Sequence, residues 1–126
     1  MKSFIMIIFA SVFFILGGCA QESNKESLLE MVDVEIILPE VIKKGETVAL
    51  KARITQGKEN VNDADSVQFE IWKEGQETHE KLEAKNSESG IYAIQKSFSE
   101  AGKYTIIAHV TARGMHNMPK MDFIVE

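Results

Sequence analysis

Apolar residues recur at every second position through most of the chain beyond residue 46, and that spacing leaves few folds open. Val48, Leu50, Ala52 and Ile54 alternate with Thr47, Lys51, Arg53 and Thr55. Val67, Phe69 and Ile71 alternate with Gln68 and Glu70, while Tyr92, Ile94 and Phe98 share one parity, as do Tyr104, Ile106, Ala108 and Val110. Side chains on a strand point alternately to its two faces, so each apolar set lies on one face of a half-buried sheet. Glycine-bearing turn signals separate the runs: Lys44-Gly45, Gly57-Lys58, Glu74-Gly75, Ser89-Gly90, Ala101-Gly102 and Gly114. Six or seven strands follow, at roughly 31–38, 46–55, 66–73, 79–85, 91–98, 103–112 and 119–126. Apart from a turn at Asn62 to Asp65, nothing here sustains a helical period. The fold class predicted is all-β, an immunoglobulin-like antiparallel β-sandwich of about seven strands. At Ala101-Gly-Lys-Tyr104 the ring reads either as a corner plug whose hydroxyl bonds backbone or as an ordinary core aromatic.

The N-terminus carries a different signal. Lys2 precedes an uncharged apolar run from Phe4 to Leu16. As a helix those residues rise about 20 Å, short of the roughly 30 Å hydrocarbon core of a bilayer. The length suits the h-region of a signal peptide. The run closes on Leu16-Gly17-Gly18-Cys19, which resembles the lipobox of bacterial lipoprotein precursors, where the cysteine is acylated after cleavage. Cys19 is the chain's single cysteine, so no internal disulfide can form, and lipidation accounts for its position. The division expected is residues 1–18 as lipoprotein signal peptide, 19–30 as lipidated cysteine and flexible tether, and 31–126 as the sandwich domain. The tether begins with the polar stretch Ala20 to Ser27. The mature protein is expected at the cell membrane, lipid-anchored on its extracytoplasmic face.

Loss of Lys2 leaves 13 basic against 19 acidic residues, a formal charge of −6. No basic block is present, so nucleic acid is excluded as a partner and anionic lipid head groups exert no pull. The membrane is met through the lipid anchor alone. Enzymatic activity is not expected. Once Cys19 is acylated no thiol nucleophile remains, and the chain has no G-x-S-x-G elbow, H-E-x-x-H pair or phosphate-cradling loop. Asp63, Asp65, Glu70, Glu74, Glu77 and Glu80 lack calcium-loop spacing and read as a solvated acidic surface.

The remaining chemistry is that of a soft metal. His79, His109 and His116 all lie in the second half of the chain, and Met115, His116 and Met118 crowd into four residues, followed by Met121. Thioether and imidazole together suit Cu(I), and methionine replaces cysteine sensibly where thiols oxidise. Gly114 and Pro119 bracket this segment. The competing reading has Met115 and Met118 capping the end of the core, with His116 a surface polar residue. With Ala112 and Pro119 taken as the flanks of the hairpin, His109 sits about 10 Å below the tip. Its parity is opposite to the core set, so it joins only if the segment folds back over that face. Glu70 and Trp72 share that off-core parity on their own strand. Trp72 is either covered by the loop that follows it or part of a binding pocket. His79 is either a solvated strand-edge residue or a contributor from a neighbouring loop.

The chain resembles the YtkA-like family of extracytoplasmic β-sandwich domains, related to FixH-type proteins. The residues that carry the likeness are Val67-Gln-Phe-Glu-Ile-Trp72, Gly90-Ile-Tyr92, Phe98, Gly102-Lys-Tyr-Thr-Ile106 and above all His109-Val-Thr-Ala-Arg-Gly-Met-His-Asn-Met-Pro119. It covers roughly Val32 to Glu126. The resemblance implies a lipid-anchored Ig-like domain, mostly of Gram-positive bacteria, and makes copper a plausible cargo, since FixH proteins are linked to copper handling in oxidase assembly. Two functions follow as expectations. One is a tethered module binding copper through the Met/His segment, in support of copper handling or oxidase assembly. The other is a metal-free interaction or structural domain with an envelope protein partner.

Overall fold

A computed structural model describes residues 30–126 of the chain. The lipobox, Cys19 and most of the tether lie outside the described residues.

Ten strands form two antiparallel five-stranded sheets, with no helix among the described residues. The first sheet holds β1 (Val32–Ile37), β2 (Thr47–Gln56), β3 (Glu59–Asn60), β6 (Lys85–Asn86) and β7 (Ile91–Ser97), in the order β1-β2-β7-β6 with β3 on β2. The second holds β4 (Ser66–Lys73), β5 (Glu80–Glu83), β8 (Gly102–Ala112), β9 (Met115–Asn117) and β10 (Lys120–Val125), in the order β10-β8-β4-β5 with β9 on β8. The expected alternation is realised. Leu50, Ala52 and Ile54 of β2 meet Phe69 and Ile71 of β4, Tyr92 and Ile94 of β7, and Ile106, Ala108 and Val110 of β8 in one buried cluster.

The seven long runs read from the sequence are all strands, with two refinements. The run at 79–85 breaks at Ala84, so that β5 joins the second sheet and β6 the first. The irregular stretch after β3 is not a turn of helix. It is held by Tyr92, whose hydroxyl donates to the Val61 carbonyl at 3.0 Å and accepts from the Ala64 N–H at 3.1 Å. Gly90 closes the same region at a φ of 72°. A Cβ there would stand 2.5 Å from the Ile54 carbonyl oxygen, so only glycine fits.

Tyr104 forms the corner: its hydroxyl donates to the Glu100 carbonyl at 2.8 Å while the ring packs edge-on against Phe98. Tyr104→Phe is expected to cost about 0.5–1.5 kcal/mol, the worth of one such hydrogen bond. Urea unfolding of the variant measures this, and an unchanged midpoint would assign the ring, not the hydroxyl, to the corner.

A histidine–carboxylate face on the second sheet

The hairpin that joins β8 to β9 decides where the candidate ligands go. Arg113 and Gly114 both have positive φ, 50° and 76°, as a two-residue hairpin turn demands. Arg113 is held in that conformation from outside. Its guanidinium donates to Glu59 at 2.7 Å, Gln56 at 2.9 Å and Asp63 at 3.3 Å. The Arg113 hydrogen bond holds the Glu59 carboxyl below its usual range, and Glu59 in turn raises the Arg113 pKa.

So tight a turn fixes the register: Ala112 faces Met115, Thr111 faces His116, and Val110 faces Asn117. Directly opposed residues of an antiparallel pair share a face. Ala112 and Val110 are buried, so Met115 and Asn117 turn toward the core side. There the Met115 sulfur accepts the Val32 N–H at 3.4 Å and the Asn117 amide donates to the Val32 carbonyl at 2.6 Å. Met118, 53 % exposed, borders a shallow groove with Val32, Val34 and Pro119. His116 goes the other way, onto the outer face with Thr111. The structure therefore does not gather Met115, His116 and Met118 about one centre.

It does gather the histidines on the outer face. His109, two residues before Thr111, shares its parity. On β4 the same face carries Gln68, opposite His109, and then Glu70 and Trp72. The β4–β5 loop returns His79 just ahead of β5, where its ring stacks on Trp72 with centroids 4.0 Å apart and planes 6° apart. Between the two imidazoles stands Glu70, its side chain only 15 % exposed. One carboxylate oxygen meets His79 Nδ1 at 2.5 Å and the other meets His109 Nε2 at 2.7 Å. Hydrogen bonds from His79 and then His109 hold the Glu70 carboxyl below its usual range, against the weaker opposing effect of burial.

A carboxylate only accepts, so in the neutral form of each ring the donors are His79 Nδ1 and His109 Nε2. Their lone pairs then sit on the opposite nitrogens, His79 Nε2 and His109 Nδ1. Because the rings flank the carboxylate, these two nitrogens diverge. His116 lies on the His109 side, with ring centroids 6.4 Å apart and its Nδ1 bonded to the Thr111 hydroxyl at 3.0 Å. His109 and His116 thus form a couple, and His79 braces Glu70 from behind. Among the described residues no group of three or more His, Cys, Asp or Glu is arranged to hold a metal.

Trp72 is half-buried, covered on one face by His79 from the loop beyond it, with the Lys120 ammonium 5.9 Å from its ring centroid. It also borders a cleft of about 620 Å³ at the end of the sandwich, shared with Phe98, Tyr104 and Lys96. Cover by the loop and a place beside a pocket are therefore not exclusive for this ring. Glu70 is absent from the sequence-derived candidates. Its signal was the off-core parity it shares with His109 on an apolar-alternating strand, where a carboxylate tucked beneath neighbours needs partners.

Known proteins match this chain in sequence and in fold. The family model described as YtkA-like matches residues 26–109, a span that takes in Glu70, Trp72, His79 and His109 and stops before His116. No curated protein matches in sequence. Among solved structures, an engineered protein superposes with a TM-score of 0.61 at 16 % identity, over 76 % of this chain and 20 % of its own. The endo-beta-1,4-mannanase of Thermotoga petrophila gives 0.57 at 17 %, over 82 % and 21 %. A variant of the superoxide reductase (neelaredoxin) of Ignicoccus hospitalis gives 0.51 at 10 %, over 80 % and 85 %. The chain spans about a fifth of the first two, and at these identities the likeness is one of fold alone.

Proposed function

The chain belongs to the YtkA-like family, and on that footing we propose that it is a lipid-anchored, extracytoplasmic binding module that carries copper on the outer face of its second sheet, in support of copper handling or oxidase assembly. The lipobox ending in Cys19 supports the anchor. The reading of the metal rests on one observation, the Glu70 carboxylate bound to His109 Nε2. Metal-binding histidines characteristically donate their second ring N–H to a carboxylate, which fixes the tautomer and raises the basicity of the ligating nitrogen. His109 Nδ1 is left as that nitrogen. His116 supplies the second imidazole, at a ring separation of 6.4 Å, which two rings flanking one ion reach with metal–nitrogen bonds of roughly 2.0–2.1 Å. Water or a partner's side chain would fill the other positions.

Titration of residues 22–126 with copper tests the reading, since every core contact lies within the described domain. The expected affinity is micromolar or tighter, weakened at least ~10-fold by His109→Ala or His116→Ala. Binding weaker than that, or indifferent to both substitutions, would remove it.

A second reading is a metal-free interaction domain for an envelope protein. The lack of a ready three-residue ligand set among the described residues favours it. Its mark is a melting temperature unmoved by copper together with one defined partner in crosslinking on intact cells.

A further inference from the structure

We propose that the ion this face takes is cupric, Cu(II), held by His109 and His116 with no methionine in its coordination sphere. The inference rests on the copper reading above and deepens it.

Sidedness decides the ion. Register divides the donors of the β8–β9–β10 region between the two faces of a single sheet. His116 opposes Thr111 and lies with His109 on the outer face. Met115 opposes buried Ala112, and its sulfur is already engaged with the Val32 N–H. Met121 opposes Ile106, a fully buried residue, and so takes the inward parity. Met118 borders the groove against β1, beyond the edge of the histidine face. The backbone of the sheet thus stands between the imidazoles and the thioethers of Met115 and Met121. Moving Met115 across would require slipping β9 by one residue, which the two-residue turn and the Arg113 clamp oppose.

The two oxidation states want different surroundings. Cu(I) favours soft sulfur donors at low coordination number, whereas Cu(II) favours nitrogen and oxygen in a tetragonal arrangement. The outer face offers two imidazole nitrogens, the Thr111 hydroxyl beside His116, and an open solvent side for water. Sulfur is not among these donors. Of the methionines that read as a Cu(I) signature in the sequence, Met115 packs against the core, while Met118 and Met121 are exposed away from the two imidazoles.

The test uses the full chain in detergent, with Cu(II) and Cu(I) titrated separately, the latter anaerobically with reductant. Electron paramagnetic resonance of the Cu(II) form is expected to show a tetragonal site with nitrogen coupling. That coupling should be reduced, and the affinity lowered at least ~10-fold, by His116→Ala and by His109→Gln. A combined Met115→Leu, Met118→Leu, Met121→Leu variant conserves volume and should leave both signal and affinity as they were. His116 is exposed, so its substitution does not endanger the fold. Cu(I) bound more tightly than Cu(II) and lost with the three methionines would overturn this inference and leave the copper reading standing. Failure to bind either ion would overturn both.

Discussion

Phe69→Ala is expected to lower the stability of the domain by about 3–5 kcal/mol, the usual cost of deleting a large buried aromatic. Phe69 is 0 % exposed and sits mid-strand in β4, between Ala108 of β8 and Leu82 of β5. Ala108, itself a fully buried methyl, has no volume to give toward filling a hole beside it. Collapse would have to come from the facing sheet, whose Leu50 and Ile54 are already fully packed. Domains of this size have total stabilities of roughly 5–15 kcal/mol, so the variant should melt on the order of 15–30 °C lower. Thermal unfolding followed by far-UV circular dichroism measures the shift. Trp72→Ala, on the same strand but the opposite parity, is the control. It removes more atoms, yet from a half-buried site, and should cost less. A reversal of that order would mean that the sandwich is packed around the wrong face of β4.

That contrast between Phe69 and Trp72 is legible in the sequence alone, because parity is a strictly local property. The same holds for Glu70 and His109, whose off-core placement follows from counting by twos along β4 and β8. Legibility fails where placement depends on pairing. The strands β3, β6 and β9 are two or three residues long, too short for any alternation to show. The segment from Met115 to Asn117 reads as a loop between flanks at Ala112 and Pro119, because methionine and histidine in succession carry no strand signal. Arg113-Gly114 holds the missing information. Taken as a two-residue turn, it dictates that His116 opposes Thr111 and that Met115 opposes Ala112, which sends the sulfur inward. The hairpin is thus the means by which His116 folds back over the His109 face, and it leaves the methionines behind. The His79–Glu70 bond is out of reach for a different reason. It depends on the path of the loop between β4 and β5, which no periodicity governs.

Glu70→Gln is expected to weaken copper binding by roughly 10–100-fold, the range seen when a carboxylate behind a metal-bound histidine is altered. The isosteric amide keeps the volume and loses the charge. Two acceptor oxygens become one acceptor and one donor. An amide –NH₂ facing His109 would need a lone pair on Nε2, forcing the ring proton onto Nδ1, the nitrogen that should meet the metal. With the amide turned the other way, His109 keeps its tautomer but faces a neutral oxygen, and the added basicity is gone. His79→Ala provides the comparison. Its ring lies on the far side of the carboxylate, so the variant should shift affinity far less than Glu70→Gln does. Nitrogen-15 NMR of the histidine rings reads the same claim without metal present. The wild-type His109 should carry its proton on Nε2, and in Glu70→Gln a second tautomer should appear. This separates a positioning carboxylate from a merely structural one, because loss of packing would broaden many resonances and leave the tautomer of a surviving ring unchanged. An unaltered His109 tautomer together with unaltered affinity would show that the hydrogen bond at 2.7 Å orients nothing, and the couple of His109 with His116 would then have no prepared lone pair to offer.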